Sequence, residues 1–203
     1  MAYVELHCHS AYSFLDGASH PEELAAQAAE LGYGALGLTD HDGVYGSLEF
    51  AHAAKAFGVR PITGAEVTLR ESPHGQSPHG SDAAPPSRRL DGSHVTLLVE
   101  SPRGYADLCR APTAAHAGTR PKPTDPVPPA LDRHVLASHH EGLICLSGCA
   151  RDGLAVRNAN GAAELAAVLG RGRFFVELQR PYERGDARRN NRLRQLAETI
   201  GVQ

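Results

Sequence analysis

The strongest constraint in this sequence is its punctuation: strand-length apolar runs alternate with helix-length amphipathic segments, and Gly, Pro or Asp separates them. Val4, Leu6 and Cys8 alternate as a short strand, and a Ser/Asp/Gly-rich turn runs from Ser10 to Gly17. Pro21, the acids Glu22 and Glu23, and Leu24, Ala25, Ala28 and Leu31 on one face predict a helix that stops at Gly32. The unit repeats as a strand at 35–39 and a helix from Ser47 to Phe57, closed by Gly58, before a third strand at Pro61 to Leu69. A fourth strand at Val95 to Val99 precedes a helix at Tyr105 to His116. A fifth strand at Leu143 to Leu146, a helix at Ala162 to Leu169, a sixth strand at Phe174 to Leu178 and a helix at Asp186 to Ile200 complete the series. Repeated βα units of this kind imply an α/β fold with a mainly parallel sheet.

At 203 residues the chain fits one domain, spanning 1–203. With 5% aromatic residues and no Trp, its core is built from Ala, Leu and Val. Residues 70–93 and 118–134, rich in Pro, Ser, Gly and His, read as mobile surface insertions. A net charge of -3 excludes a stand-alone nucleic-acid binder that works by neutralising phosphates. Four Cys, no signal-like start and no long apolar run read as a reduced, soluble, cytoplasmic protein with no membrane association. The final Gly201-Val202-Gln203 reads as a helix cap followed by the first residues of a further strand, cut short.

Side chains at i and i+2 of a strand point the same way, so His7 and His9 can aim two imidazoles at one point while Cys8 faces the opposite side. Taken alone, the pair reads equally well as surface histidines at a strand end. Further ligand types recur after successive strands: Asp16, His41 and Glu66. Strand ends in parallel α/β folds share one face, so these residues can meet in one cleft. His94 fits poorly, because it precedes its strand. Asp40 and Asp42 read as loop acids, Cys109 and Cys145 as buried small hydrophobes, and Cys149 as either such a residue or a thiolate ligand. His74, His79, His116, His134, His139 and His140 lie in polar or Pro-rich stretches and read as solvent-exposed. Mixed imidazole and carboxylate donors suit zinc, manganese or iron, and Cys149 favours zinc at one position. Such clusters acidify bound water and clamp phosphoryl oxygens, which makes phosphoester hydrolysis the matching reaction class. The sequence holds no Walker loop, dinucleotide fingerprint or Ser-His-Asp motif.

Leu6-His7-Cys8-His9-Ser10, Leu15-Asp16-Gly17, Leu38-Thr39-Asp40-His41-Asp42-Gly43, Ile62-Thr63-Gly64-Ala65-Glu66 and the segment Gly142 to Cys149 together resemble the polymerase-and-histidinol-phosphatase (PHP) domain. The Tyr45-Gly46 turn, Leu146-Ser147-Gly148-Cys149 and the run from Arg173 to Gln179 resemble more narrowly its version at the amino terminus of bacterial DNA polymerase III alpha subunits and their error-prone paralogues.

The resemblance implies a distorted (β/α)7 barrel with its last strand missing or incomplete. It also implies up to three divalent metal ions, held by His7, His9, Asp16, His41, Glu66, His94 and Cys149. An Asp-x-His pair that completes the family pattern is expected beyond Gln203. The implied activity is metal-dependent phosphoesterase or 3′-5′ exonuclease chemistry carried by a metal-activated water. The implied partners are DNA, through the remainder of a polymerase, and replication or translesion-synthesis subunits. A non-catalytic, partner-binding module of the polymerase and a small-molecule phosphatase resembling histidinol phosphatases are the alternatives.

Overall fold

The computed structural model describes residues 3–70, 92–119 and 127–203. Six strands among these residues, β1 (Glu5–Cys8), β2 (Ala35–Leu38), β3 (Arg60–Leu69), β4 (Ser93–Val99), β5 (Leu143–Leu146) and β6 (Phe174–Phe175), form one curled sheet in sequential order. Among the described residues, seven helices lie between and after them: α1 (Pro21–Glu30), α2 (Ser47–Ala56), α3 (Pro102–His116), α4 (Arg133–Ser138), α5 (Leu154–Arg157), α6 (Ala159–Leu169) and α7 (Asp186–Ile200).

The helix ends follow local chemistry. Glu23 accepts a 2.8 Å bond from the His20 backbone N–H at the start of α1, where Pro21 needs no donor partner. The Ser101 hydroxyl accepts from Gly104 N to open α3, and Asn158 Oδ1 accepts from Gly161 N to open α6. α4 overlaps the expected insertion at 118–134 only at Arg133 and His134, and it has no counterpart in the sequence reading. Much of both expected insertions, 71–91 and 120–126, lies outside the described residues. Within the rest, buried Leu131 exchanges backbone bonds of 2.8 Å with Thr68 and Arg70 beside the end of β3.

The pairings β1–β2, β2–β3 and β5–β6 are parallel, but β4 runs antiparallel to both β3 and β5. The parallel expectation from βα repetition therefore fails at one strand. Strand direction is set by where a connection returns to the sheet, and β3 and β4 are simply neighbours with reversed sense. The sixth strand is also shorter than its apolar run: beyond Phe175, Val176 N donates to Gln203 O at 2.6 Å.

Alternation along β3 fixes the two sides of the sheet. Ala65, Val67 and Leu69 enter the larger core with Val95 and Leu97 of β4, together with α3, α6 and Leu193 of α7. Glu66 and Thr68 point the other way, in register with Thr96 and His94 of β4. A smaller core of Ala25, Ala28, Leu36, Leu38, Phe50, Ala54 and Val59 supports β1 and β2, and Cys8 packs on it. Cys8 thus faces away from His7, as the two-residue period requires. No described helix is long and apolar enough to cross a membrane.

Candidate metal centre

The sheet face opposite the larger core floors a cleft of about 1070 Å³, and all seven expected ligands line it. Glu66 is its centre. His7 Nε2 lies 2.8 Å and His94 Nε2 3.2 Å from Glu66 Oε2, and His9 Nε2 lies 3.8 Å from the same oxygen. His41 Nδ1 is 2.6 Å from Glu66 Oε1, yet that oxygen has no hydrogen bond in good alignment. Asp16 Oδ2 bridges His9 Nδ1 at 2.6 Å and His41 Nε2 at 3.0 Å. His94 Nε2 also lies 3.0 Å from Cys149 Sγ. Donor atoms thus gather in three overlapping groups: His7, His9 and Glu66; His9, Asp16 and His41; Glu66, His94 and Cys149.

Each member arrives by a separate local device. His7 and His9 leave the end of β1 with two-residue spacing. Asp16 is carried by a tight turn in which Leu15 takes φ 67, and that turn is tied down by Asp40. Buried Asp40 accepts from Ser10 N, Ser10 Oγ, Ser13 Oγ and Gly46 N, while Ser13 Oγ accepts from His41 N at 3.1 Å. His41 forms a parallel bridge with Glu66, and Asp42 N donates to Glu66 O at 2.7 Å. His94 reaches the cleft because β4 is reversed, so that its first residues lie at the end where β3 finishes. The misfit noted in the sequence therefore disappears once the strand direction is known. Cys149 follows Gly148, whose φ of +87 and closeness to His94 O leave no room for a Cβ, which would sit 2.2 Å from that oxygen. The thiol then accepts from Arg151 N and Asp152 N at 3.3 and 3.4 Å.

Burial and mutual contact polarise the cluster. Burial alone would lower the His7 imidazole, but hydrogen bonds to Glu177 and Glu66 outweigh it and raise its pKa to about 10. His41 is raised to about 9, with burial again opposed by Glu66 and Asp16. Glu66 is pushed upward by burial, but His41 and His7 hold its carboxyl far below the carboxylate range. Burial lowers His9 and His94 and raises the Cys149 thiol. Without a metal, protons on His7 and His41 supply the positive charge that the buried carboxylate needs. The donor set fits a metal: His9 Nε2 and Glu66 Oε1 are buried without hydrogen-bond partners, and the cluster mixes imidazole, carboxylate and thiol.

Several residues of the site escaped the sequence reading. Glu177 Oε1 lies 2.8 Å from His7 Nδ1, Thr96 Oγ1 lies 3.2 Å from the same nitrogen, and Gln179 lines the cleft. A lone acid in the apolar run from Phe174 to Leu178 was the available signal for Glu177. His116 is half-buried rather than exposed, and its Nε2 donates to Asp42 O at 2.9 Å. Asp40 and Asp42 are buried anchors rather than solvated loop acids; Asp42 accepts from Thr68 N and Thr68 Oγ1. Cys145 is in the core as expected, whereas Cys109 is only half-buried.

Residues 5–181 match the PHP domain family. The whole chain is 37% identical over 220 residues to the error-prone DNA polymerase of Symbiobacterium thermophilum, of which it covers 18%. It is 40% identical over 206 residues to the error-prone DNA polymerase of Mycolicibacterium paratuberculosis, with 98% of this chain and 18% of that one covered. The chain thus spans under a fifth of the length of these relatives. Among solved structures, a protein from Bifidobacterium adolescentis described as a metal-dependent phosphoesterase shares the fold with a TM-score of 0.65. That match, at 14% identity, covers 100% of this chain and 85% of the other.

Proposed function

The chain belongs to the PHP domain family, and from that membership we propose that its cleft is a metal-dependent phosphoesterase centre acting on DNA 3′ ends within a larger error-prone-type polymerase. The observation that carries this reading is the convergence of His7, His9, Asp16, His41, Glu66, His94 and Cys149 into three ligand groups with unpartnered buried lone pairs. His7, His9 and Glu66 would hold one divalent ion, His9, Asp16 and His41 a second, and Glu66, His94 and Cys149 a third. Zinc suits the thiolate position, and manganese or iron suits the others. When bound, such ions lower the pKa of a coordinated water and polarise a phosphoryl oxygen.

The residues themselves do the rest. Glu66, held anionic, ties the first and third groups together, so both sites share one rigid carboxylate. The Asp40 clasp fixes the turn that presents Asp16. Half-exposed Asp16 and His41 mark the side of the cluster open to a substrate. Action on DNA in a bacterium implies the cytoplasm, with replication or translesion-synthesis subunits as neighbours.

A structural, partner-binding role is favoured by a different observation: among the described residues lining the cleft, Arg151 is the only Lys or Arg, so little positive charge draws in a phosphate backbone. The metal-loaded chain, given 3′-labelled single-stranded DNA, distinguishes the two. Release of the labelled nucleotide, abolished by Glu66→Gln, supports catalysis; bound metal with both DNA and histidinol phosphate left intact supports the structural role. Turnover of histidinol phosphate with none on DNA would identify a small-molecule phosphatase instead.

A further inference from the structure

The His7 ring is held between two carboxylates, and only one of them belongs to the ligand set. Glu66 Oε2 faces Nε2 at 2.8 Å, and Glu177 Oε1 faces Nδ1 at 2.8 Å, with the His7 side chain 3% exposed and the Glu177 side chain 11%. A neutral imidazole carries its proton on one nitrogen and a lone pair on the other. If Nε2 and Glu66 are to share a metal, Nε2 must be bare, and the remaining proton must sit on Nδ1.

We propose that Glu177 is the positioning residue of this centre: by accepting the Nδ1 proton it fixes the His7 tautomer and aims the Nε2 lone pair at the metal shared with Glu66. The inference rests on the metal-centre reading above and adds to it a residue from outside the ligand set. Glu177 is itself held in place. Its Oε1 accepts from Gln179 Nε2 at 2.6 Å, and its backbone N donates to Ser147 Oγ at 3.0 Å. Ser147 N in turn donates to Phe175 O at 2.9 Å, so the end of β6 and the loop carrying Cys149 brace the same carboxylate. Glu177 Oε2 is buried with no hydrogen-bond partner, so the side-chain contacts of the carboxylate run through Oε1, the oxygen that faces His7. A carboxylate behind a metal-bound imidazole also raises the basicity of the ligand nitrogen.

The competing acceptor is Thr96 Oγ1, 3.2 Å from Nδ1 and 3.4 Å from Nε2. A hydroxyl at comparable distance from both nitrogens discriminates between them far less than a carboxylate facing one.

Zinc titration of the full chain, with histidine nitrogen NMR on the zinc-loaded protein, tests the assignment. Glu177→Gln should weaken zinc binding by about tenfold to a hundredfold, and the protected Nδ1–H signal of His7 should broaden or disappear. Thr96→Val should leave both readouts at wild-type values. An unchanged affinity and Nδ1–H signal in Glu177→Gln, or an equal loss in Thr96→Val, overturns the proposal. Should Glu177→Gln fail to fold, Gln179→Leu removes the donor that holds the carboxylate: weaker zinc binding supports the assignment, and wild-type binding overturns it. A wild-type chain that takes up no zinc overturns the metal-centre reading and this inference with it. Normal uptake with an unaffected Glu177→Gln overturns this inference alone.

Discussion

His94 Nε2 lies 3.2 Å from Glu66 Oε2 although the two residues sit on neighbouring strands of opposite direction. The register places Thr68 opposite His94 and Glu66 opposite Thr96, so one face of two strands contributes two donors and two hydroxyls. A parallel β4 would have sent its first residue to the far end of the sheet. Reversal of one strand is what closes the third ligand group.

Glu66→Gln keeps the volume of the side chain and removes the charge on which His7, His41 and His94 converge. The carboxylate is 1% exposed, so its loss strips the buried His7 imidazolium of one of its two counter-charges, leaving Glu177, and leaves His41 with only half-exposed Asp16. Breaking a buried pair in this way costs about 3 to 5 kcal/mol. The metal-free variant should melt well below the wild type, and its metal content should fall in both groups that contain Glu66. Equal melting temperatures in chelator would show that the buried contacts contribute no net stability.

The sequence carried more of the site than of the sheet. Strand existence and the facing of His7 against Cys8 follow from local periodicity, and the six strands lie where the apolar runs are. The direction of β4 does not, because a run such as Val95 to Val99 reads the same in either sense and only its neighbours determine which is adopted. Asp40 was legible as an acid but not as an anchor, since its four donors come from Ser10, Ser13 and Gly46, distant from it in the chain or across a turn. Glu177 reaches His7 across 170 positions, a contact made by the closure of the sheet.

Stability without metal should depend on pH in a defined sense. His7 and His41 have folded values of about 10 and about 9, above the ordinary 6.5. Their contribution is complete below the unfolded value and is lost as pH rises through the folded values. His9 and His94 are lowered, so they contribute above 6.5 and that contribution is lost as pH falls. In chelator, thermal stability should therefore peak near neutrality and decline toward pH 10. Zinc-loaded protein should not show the alkaline decline, because metal binding already requires bare imidazoles. Zinc at a hundred times its dissociation constant should add about 2.7 kcal/mol. Parallel alkaline declines in both forms would rule out His7 and His41 as ligands.

Asp40→Asn tests the clasp separately from the ligands. The carboxylate accepts four short bonds from three loop residues, and an amide replaces one acceptor oxygen with a donor that faces other donors. Charged hydrogen bonds contribute about 1.5 to 3 kcal/mol each, and at least one is lost outright. The variant should lose stability on that scale, and its affinity at the Asp16 group should fall more than at the Cys149 group. Uniform weakening of every site would point instead to general unfolding.

Gly148→Ala addresses the thiolate directly. At φ +87 an added Cβ would stand 2.2 Å from His94 O, a backbone atom that cannot swing aside. Relief requires the loop to move, and the backbone penalty for a non-glycine residue there is about 1 to 3 kcal/mol. Cys149, the next residue, would be drawn away from His94 Nε2, now 3.0 Å from its sulfur. In cobalt-loaded protein this should abolish the thiolate-to-cobalt charge-transfer band while leaving the ligand-field bands of the imidazole and carboxylate groups. Cys149→Ser should remove the same band without the loss of stability, because the backbone there keeps its glycine. A charge-transfer band that survives both substitutions would place the thiolate outside the metal centre and reduce the third group to Glu66 and His94.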